Sequence, residues 1–407
     1  MAEFRVGVIG LGGRGMGHVH GILTERDDTV ITAVCDTYED RCAKAVAYCK
    51  EKKNWDVAST TDYRALIERD DVDVVCIFSA WENHIPAAIY AMNCGKQAAT
   101  EVGGAYSLED CWSLVETYER TRIHCMMLEN CCYDRNEMMV MRMVREGVFG
   151  KIVHCEGGYQ HDLRGEISFG EENRHYRLRN YKNRCCENYP THELGPIARY
   201  LNINRGNRMV SLVSMASKSA GLKAWLKQNR PDDEVTAHQV NEGDIVTTMI
   251  KCANGESILL THDCTLPRPY SRGGRVQGTK GIWMEDNRSI YIDGRSPVDP
   301  GYWTHRWESD EKYMKEYEHP LWKEYEEFGL RGGHGGMDYL VLRGFIESVQ
   351  NGTTPPIDVY DTASWMVITA LSEQSIAMGS LPVPIPDFTN GEWIHRHGDA
   401  DGRYALD

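Results

Sequence analysis

The 407-residue chain contains no run of 18 apolar residues, no CxxC pair, no block of basic residues, no internal repeat and no low-complexity tract. Each absence excludes something. Without a long apolar run there is no helical membrane span, and no membrane partner is expected. Lys and Arg number 45 against 60 Asp and Glu, a net charge of −15, and the basic residues form no cluster. Nucleic acid is therefore not an expected partner, and a small substrate of little charge is easier to accommodate. The 14 cysteines lack zinc-ligand spacing. Neighbours such as Cys131-Cys132 and Cys185-Cys186 rarely bridge each other. They read as reduced thiols, mostly buried as small hydrophobes, and no metal is expected. A metal held by Cys185, Cys186 and nearby histidines is the weaker alternative. The first strand starts within three residues of Met1. No export signal is expected, and the expected location is cytoplasmic.

What is present declares itself at once. A strand-like run, Phe4-Arg5-Val6-Gly7-Val8-Ile9, leads into Gly10-Leu11-Gly12-Gly13-Arg14-Gly15. A helix-compatible segment follows, then a second apolar run, Val30-Ile31-Thr32-Ala33-Val34, which ends at Asp36. This is a dinucleotide-binding fingerprint in its proper context. Gly10 permits a tight turn, Gly12 lets the backbone approach a pyrophosphate, and Gly15 lets the helix pack on the strand. Asp36 is placed to bind the adenosine ribose hydroxyls, which favours NAD over NADP. Arg41 lies near the same edge. The run from Asp71 to Phe78 is a further strand, ending at Ser79-Ala80-Trp81-Glu82-Asn83-His84. Ligands of open α/β sheets bind beyond the carboxyl ends of strands, so Ser79, Trp81, Asn83 and His84 are expected to line the cofactor crevice. Later strands end at Glu101-Val102 and Glu129-Asn130, bringing three polar strand ends to one rim. Arg14, Glu101, Val102 and Asn130 complete this side of the expected cofactor set.

From about Lys151 the periodicity changes. Strands are expected near 152–159, 209–215, 245–252, 257–262, 274–277, 281–284 and 289–292, with Asn254-Gly255 as a hairpin turn. Segment 165–188 reads as an irregular active-site loop, and 337–349 and 362–378 as late helices. The expected fold is α/β: a Rossmann domain over residues 1–130, then an α+β domain over 131–407 with a mixed or antiparallel open sheet and C-terminal helices.

The strings GLGGRG with Asp36, WENH at 81–84, EV at 101–102 and LEN at 128–130 continue into longer ones. These are MVREGVFGKIVHCEGGYQHDLR at 143–164, NYPTHELGPIARYLNINRGNR at 188–208, PRPYS at 267–271, YMKEYEHPLWK at 313–323 and GHGGMDY at 333–339. With them the chain resembles the Gfo/Idh/MocA oxidoreductases and, more closely, the NAD-dependent glycosidases of glycoside hydrolase family 109, the α-N-acetylgalactosaminidases. General members of the superfamily carry Glu-Lys-Pro where this chain has Glu101-Val102-Gly103. They also carry Asp where this chain has Asn188, four residues before His192. Both departures fit the glycosidase branch.

The resemblance implies NAD as a cofactor regenerated in every cycle and a small glycoside as substrate. Most glycosidases work with two carboxylates; the implied route is redox instead. It runs through transient oxidation at C3, deprotonation at C2, elimination of the aglycone, addition of water and re-reduction. His192 is the implied acceptor of the 3-hydroxyl proton. Its plainer alternative is a core histidine at a helix start. Tyr159 is the implied C2 base, and its phenol needs a nearby cation to depress its pKa. Which of Tyr159 and His192 is that base stays open. Arg177 is the candidate cation or sugar contact, with Arg174 and Arg179 competing. Tyr189 is expected one helical turn from His192 on the same face, touching nicotinamide and sugar. Thr191 and Glu129 join the substrate-binding set, Asn130 reaches the nicotinamide end, and Tyr270 packs on the sugar face. His161, Asp162, His262 and Asp263 are read as supporting residues, and GHGGMDY as a flexible segment near the mouth or the turn before a helix. A homo-oligomer, dimer or tetramer, is implied through the exposed face of the second sheet. The rival function is an NAD-dependent sugar or inositol dehydrogenase or ketoreductase.

Overall fold

The computed structural model describes residues 4–301, 304–327, 329, 331–397 and 402–406. These divide into two compact units. The first takes the described residues up to Tyr133, those of Glu324–Val367 and 402–406; the second takes those of Asp134–Lys323 and Ile368–His397. Helix Met337–Asn351 thus belongs to the first unit, although a cut at residue 130 assigns it to the second domain. Tyr133 packs against it there: a Cβ on Gly344 of the helix would lie 2.8 Å from the Tyr133 hydroxyl. Among the described residues no helix is long and apolar enough to cross a membrane.

The first unit is built on six strands: β1 Phe4–Ile9, β2 Thr29–Cys35, β3 Ala58–Thr60, β4 Val74–Ile77, β5 Gln97–Thr100 and β6 Cys125–Met127. All pair in parallel, in the order β3-β2-β1-β4-β5-β6. β4 is buried at every position, as expected of a parallel strand covered on both faces. The strand order reverses between β1 and β4, and that switch point opens a crevice at their carboxyl ends. Ser107 caps helix Leu108–Thr121 as its sequence predicts, accepting from the Asp110 N–H at 3.0 Å. The WENH string, expected to line the crevice, is the first turn of helix Trp81–Asn93.

The second unit carries a nine-stranded sheet: β7 Ile152–Gln160, β8 Met209–Ala216, β9 Ile245–Cys252, β10 Ser257–Asp263, β11 Arg275–Gly278, β12 Gly281–Met284, β13 Ser289–Ile292, β14 Glu308–Ser309 and β15 Val383–Pro384. The order is β14-β13-β12-β11-β7-β10-β9-β8-β15. Only β7 and β10 pair in parallel, so the sheet is mixed. Asn254-Gly255 does turn the β9–β10 hairpin, with Gly255 at φ +103°. One departure concerns 165–188: helices Arg164–Ser168 and Arg177–Asn183 interrupt the expected loop. Neither is long enough to leave a clear periodic signal.

Candidate active site

In the first unit the glycine turn has the geometry its spacing demands. Gly10 sits at φ +91°, and a Cβ there would lie 2.5 Å from backbone atoms of Phe78 and Ser79. A Cβ on Gly15 would lie 1.9 Å from the Gly10 carbonyl oxygen, so the helix start fits against the strand only because that carbon is missing. At Gly12 the nearest atom to such a carbon is the Arg41 guanidinium, 3.7 Å away, which leaves the cradle open. Asp36 accepts the Leu11 N–H at 2.7 Å and the Tyr38 N–H at 3.0 Å, with Arg41 at 3.6 Å. It therefore ties the glycine turn to the end of β2. Ser79 Oγ and His84 Nδ1 are buried without a hydrogen-bond partner among the described residues. The other nitrogen of His84 bonds the Ser79 carbonyl at 2.9 Å. Burial lowers the His84 pKa, so the ring is neutral. Open glycine backbone and orphaned polar atoms at the switch point are what a bound dinucleotide would satisfy. Trp81 and Val102 are buried, and Asn83 is exposed on the first turn of its helix.

Arg14, Glu101 and Asn130 are engaged with protein groups. Arg14 donates to Glu101 at 2.7 Å and to both oxygens of Asp338 at 2.5 and 2.9 Å. Asn130 donates to the same carboxylate at 2.7 Å, and His334 Nδ1 lies 2.8 Å from it. Burial pushes Glu101 up, but Arg14 and His18 outweigh it and hold the carboxyl at about 2. Asp338, also buried, is held below the usual carboxylate range by His334 and Arg14. Asp338 raises the pKa of His334 in return. Sequence reasoning missed both residues. The only signal was the dense string GHGGMDY, and nothing local ties it to a turn some 320 residues earlier. Glu129 is fully buried and accepts the Cys131 N–H at 3.1 Å.

The second unit gathers the remaining candidates. Tyr159, at the end of β7, has ring centroids 4.5 Å from Tyr189, 5.4 Å from His192 and 6.2 Å from Tyr270. Tyr189 and His192 are 4.8 Å apart and edge to face. Helix Thr191–Tyr200 starts only after Tyr189, so the two do not share a helical face as expected. The chain entering the helix brings them together instead. Arg177 is buried, 5.8 Å from the Tyr159 ring and 5.3 Å from that of Tyr189, and bonded to Glu166 at 3.0 Å. Arg174 and Arg179 are exposed, so of the three it is Arg177 that is buried beside these rings. Arg177 pulls the Tyr159 pKa down, but burial raises it by more, so the phenol keeps its proton. The expected cationic depression is thus outweighed by desolvation. Thr191 Oγ1 is buried with no partner among the described residues, and Tyr270 is 48% exposed.

Gly157 and Gly158 make room for the protein itself. A Cβ on Gly157 would lie 1.7 Å from Glu193 Cγ, and one on Gly158 would lie 1.9 Å from the Thr261 carbonyl oxygen. Glu193 follows His192 and belongs to a buried acidic group around Arg272. That guanidinium lies 3.0 Å from Glu137, 3.4 Å from Asp134 and Glu285, and 3.5 Å from Glu193. Glu137, Glu193 and Glu285 bring oxygens close enough for a cation, but Arg272 already supplies a positive charge there. Beneath Tyr159, His262 is its register partner on β10 and bonds the Tyr181 hydroxyl at 2.7 Å. Asn188 donates to Glu242 at 2.6 Å, and burial pushes Glu242 up to about 8. All 14 cysteines are free; Cys94 is exposed and Cys185 partly so.

The glycine turn, Asp36 and parallel sheet of the first unit define a dinucleotide-binding protein of Rossmann type, whose second unit is built on an open mixed sheet. Residues 4–128 match the oxidoreductase family, NAD-binding Rossmann fold. Residues 133–395 match the glycosyl hydrolase 109 C-terminal domain. The chain belongs to glycoside hydrolase family 109. The α-N-acetylgalactosaminidase of Tannerella forsythia is 40% identical, across 96% of this chain and 87% of its own. A second protein of that name, from Shewanella oneidensis, is 40% identical across 97% and 87%. A family 109 protein of Stenotrophomonas maltophilia is 41% identical across 99% and 93%. Among solved structures, levoglucosan dehydrogenase in complex with NADH and levoglucosan superposes with a TM-score of 0.68 at 19% identity, covering 95% of this chain and 100% of that one. The myo-inositol 2-dehydrogenase of Lactobacillus plantarum gives 0.66 at 16%, covering 94% and 100%. At those identities the likeness is one of fold.

Proposed function

We propose that the chain is an NAD-dependent glycoside hydrolase acting on N-acetylgalactosaminides. The observation that carries this is the cluster of Tyr159, Tyr189 and His192 beside Arg177 in the family 109 domain, with no lysine at Val102 for ordinary dehydrogenase work. The preference for NAD rests on Asp36, whose carboxylate suits ribose hydroxyls and repels a 2′-phosphate. When bound, the cofactor supplies reversible oxidation at C3 of the sugar, which acidifies the C2 proton. The protein's residues do the rest. His192 takes the 3-hydroxyl proton, Tyr159 handles the C2 proton, and Arg177 holds the phenol and a polar group of the sugar. Thr191, Glu129 and Tyr270 orient the substrate, while Asn130 and Tyr189 flank the nicotinamide end. Met215 and Met249 are exposed on β8 and β9, on the sheet face where we place a homo-oligomer contact. The experiment is incubation with a chromogenic α-N-acetylgalactosaminide in D2O, with NAD⁺ supplied. Aglycone release with deuterium at C2 and no net NADH is expected. Stoichiometric NADH from a free sugar, without aglycone release, would overturn the proposal in favour of a dehydrogenase.

A further inference from the structure

We propose that His161 is the proton acceptor for Tyr159, a positioning residue that acts through the phenol and does not touch the sugar. The proposal rests on Tyr159 being the C2 base. Tyr159 and His161 are two residues apart on one extended segment, so their side chains leave the same face. Tyr159 Oη lies 3.2 Å from His161 Nδ1, its one hydrogen-bond partner among the described residues. The His161 backbone is fixed by its N–H, which donates to the Asp263 carbonyl at 2.9 Å. The ring is further bounded by Tyr270, 5.1 Å away and edge to face. The charged and titratable groups facing it are Tyr159, Asp162, Glu166, Arg177, His192 and Tyr270.

Burial makes Tyr159 a poor base on its own, because the phenol must lose a proton before it can gain one. Burial and then Arg177 lower the pKa of His161, so its imidazole is neutral and Nδ1 is free to accept that proton. On the 3-keto sugar the C2–H bond breaks as a new O–H bond forms at Oη, and the former phenolic proton passes to Nδ1. The C–H electron pair becomes the C1=C2 double bond, and the aglycone oxygen departs with the C1–O pair. The water that adds at C1 gives up one proton, which neutralises the departed aglycone anion, and the imidazolium returns its proton to Oη as Tyr159 protonates C2. Charge and protons then stand as they began.

The test uses His161→Ala and His161→Asn with a chromogenic α-N-acetylgalactosaminide in D2O. NAD⁺ affinity is measured separately by quenching of tryptophan fluorescence. Both variants should lose roughly 100-fold in kcat, in line with removal of a proton acceptor. Deuterium entry at C2 should fall by the same factor, with NAD⁺ affinity unchanged. The acid limb of the pH–rate profile should change its midpoint in His161→Asn, and added imidazole should restore part of the rate in His161→Ala. Asn keeps a polar contact for the phenol but does not titrate. A His161→Asn enzyme with wild-type C2 exchange and the wild-type acid limb overturns the proposal. Wild-type protein that releases no aglycone and exchanges no C2 hydrogen overturns the underlying reading of Tyr159 instead.

Discussion

Gly157→Ala tests how closely the packing beneath the helix controls His192. The added carbon would lie 1.7 Å from Glu193 Cγ and 2.6 Å from Glu193 Cβ. Carbon–carbon contact needs about 3.5–4.0 Å, so the overlap is roughly 2 Å. The far end of a flexible side chain could swing away, but Cβ is rooted in helix Thr191–Tyr200, so the helix itself must move. Overpacking of this kind costs about 1–3 kcal/mol of stability. Its larger effect should be on chemistry, because His192 is the preceding residue and moves with Glu193. A displacement of about 1 Å at a reacting group costs on the order of 100-fold in rate. Urea titration and kcat with a chromogenic substrate measure the two effects. NAD⁺ affinity, for which the proposal relies chiefly on the glycine turn and Asp36, should change far less than kcat. Adding Glu193→Ala removes the colliding Cγ and should recover part of the rate. A Gly157→Ala protein with wild-type stability and turnover would refute the argument that this glycine sets the position of the helix.

Asp338→Asn should weaken NAD⁺ binding and destabilise the fold by roughly 2 kcal/mol or more, since Arg14, Asn130 and His334 all converge on that carboxylate. In wild type the His334–Asp338 contribution is fully present below the ordinary histidine pKa near 6.5 and is lost as pH rises through the raised native value. Urea melts should therefore show stability falling as pH rises beyond the ordinary histidine range in wild type and a flatter profile in the variant; equal profiles would refute the link. Glu242→Gln addresses a carboxyl raised by burial to about 8. Between about pH 4.5 and 8 the unfolded chain ionises this group and the native chain does not, so wild-type stability falls with rising pH by on the order of 5 kcal/mol. The glutamine variant should lack that slope in urea melts at pH 5 and 8.5. Arg272→Met removes the positive charge facing Asp134, Glu137, Glu193 and Glu285 and should cost about 3–5 kcal/mol, more at high pH than at low. A loss below about 1 kcal/mol would show that the buried carboxyls are neutral without it.

The sequence by itself determined the elements whose signals are local. Gly10, Gly15 and Asp36 lie within one strand–turn–helix–strand unit, so their spacing alone carried the dinucleotide site. The Ser107 cap and the Asn254-Gly255 turn were legible for the same reason: the groups that bond are within a few residues of each other. The second sheet was legible as strands but not as an order, because β7 pairs with β10 and β11, about a hundred residues away. Only the tertiary structure decided what Arg14 does, since its partner Asp338 is 324 positions distant. It buried Arg177 and left Arg174 and Arg179 exposed. It placed Tyr189 against His192 without a shared helix, and it packed Gly157 against Glu193. It also reversed the expected direction of the Tyr159 pKa. A residue's charge state depends on how much water surrounding chain excludes, and that exclusion arises from segments whose approach no local pattern encodes.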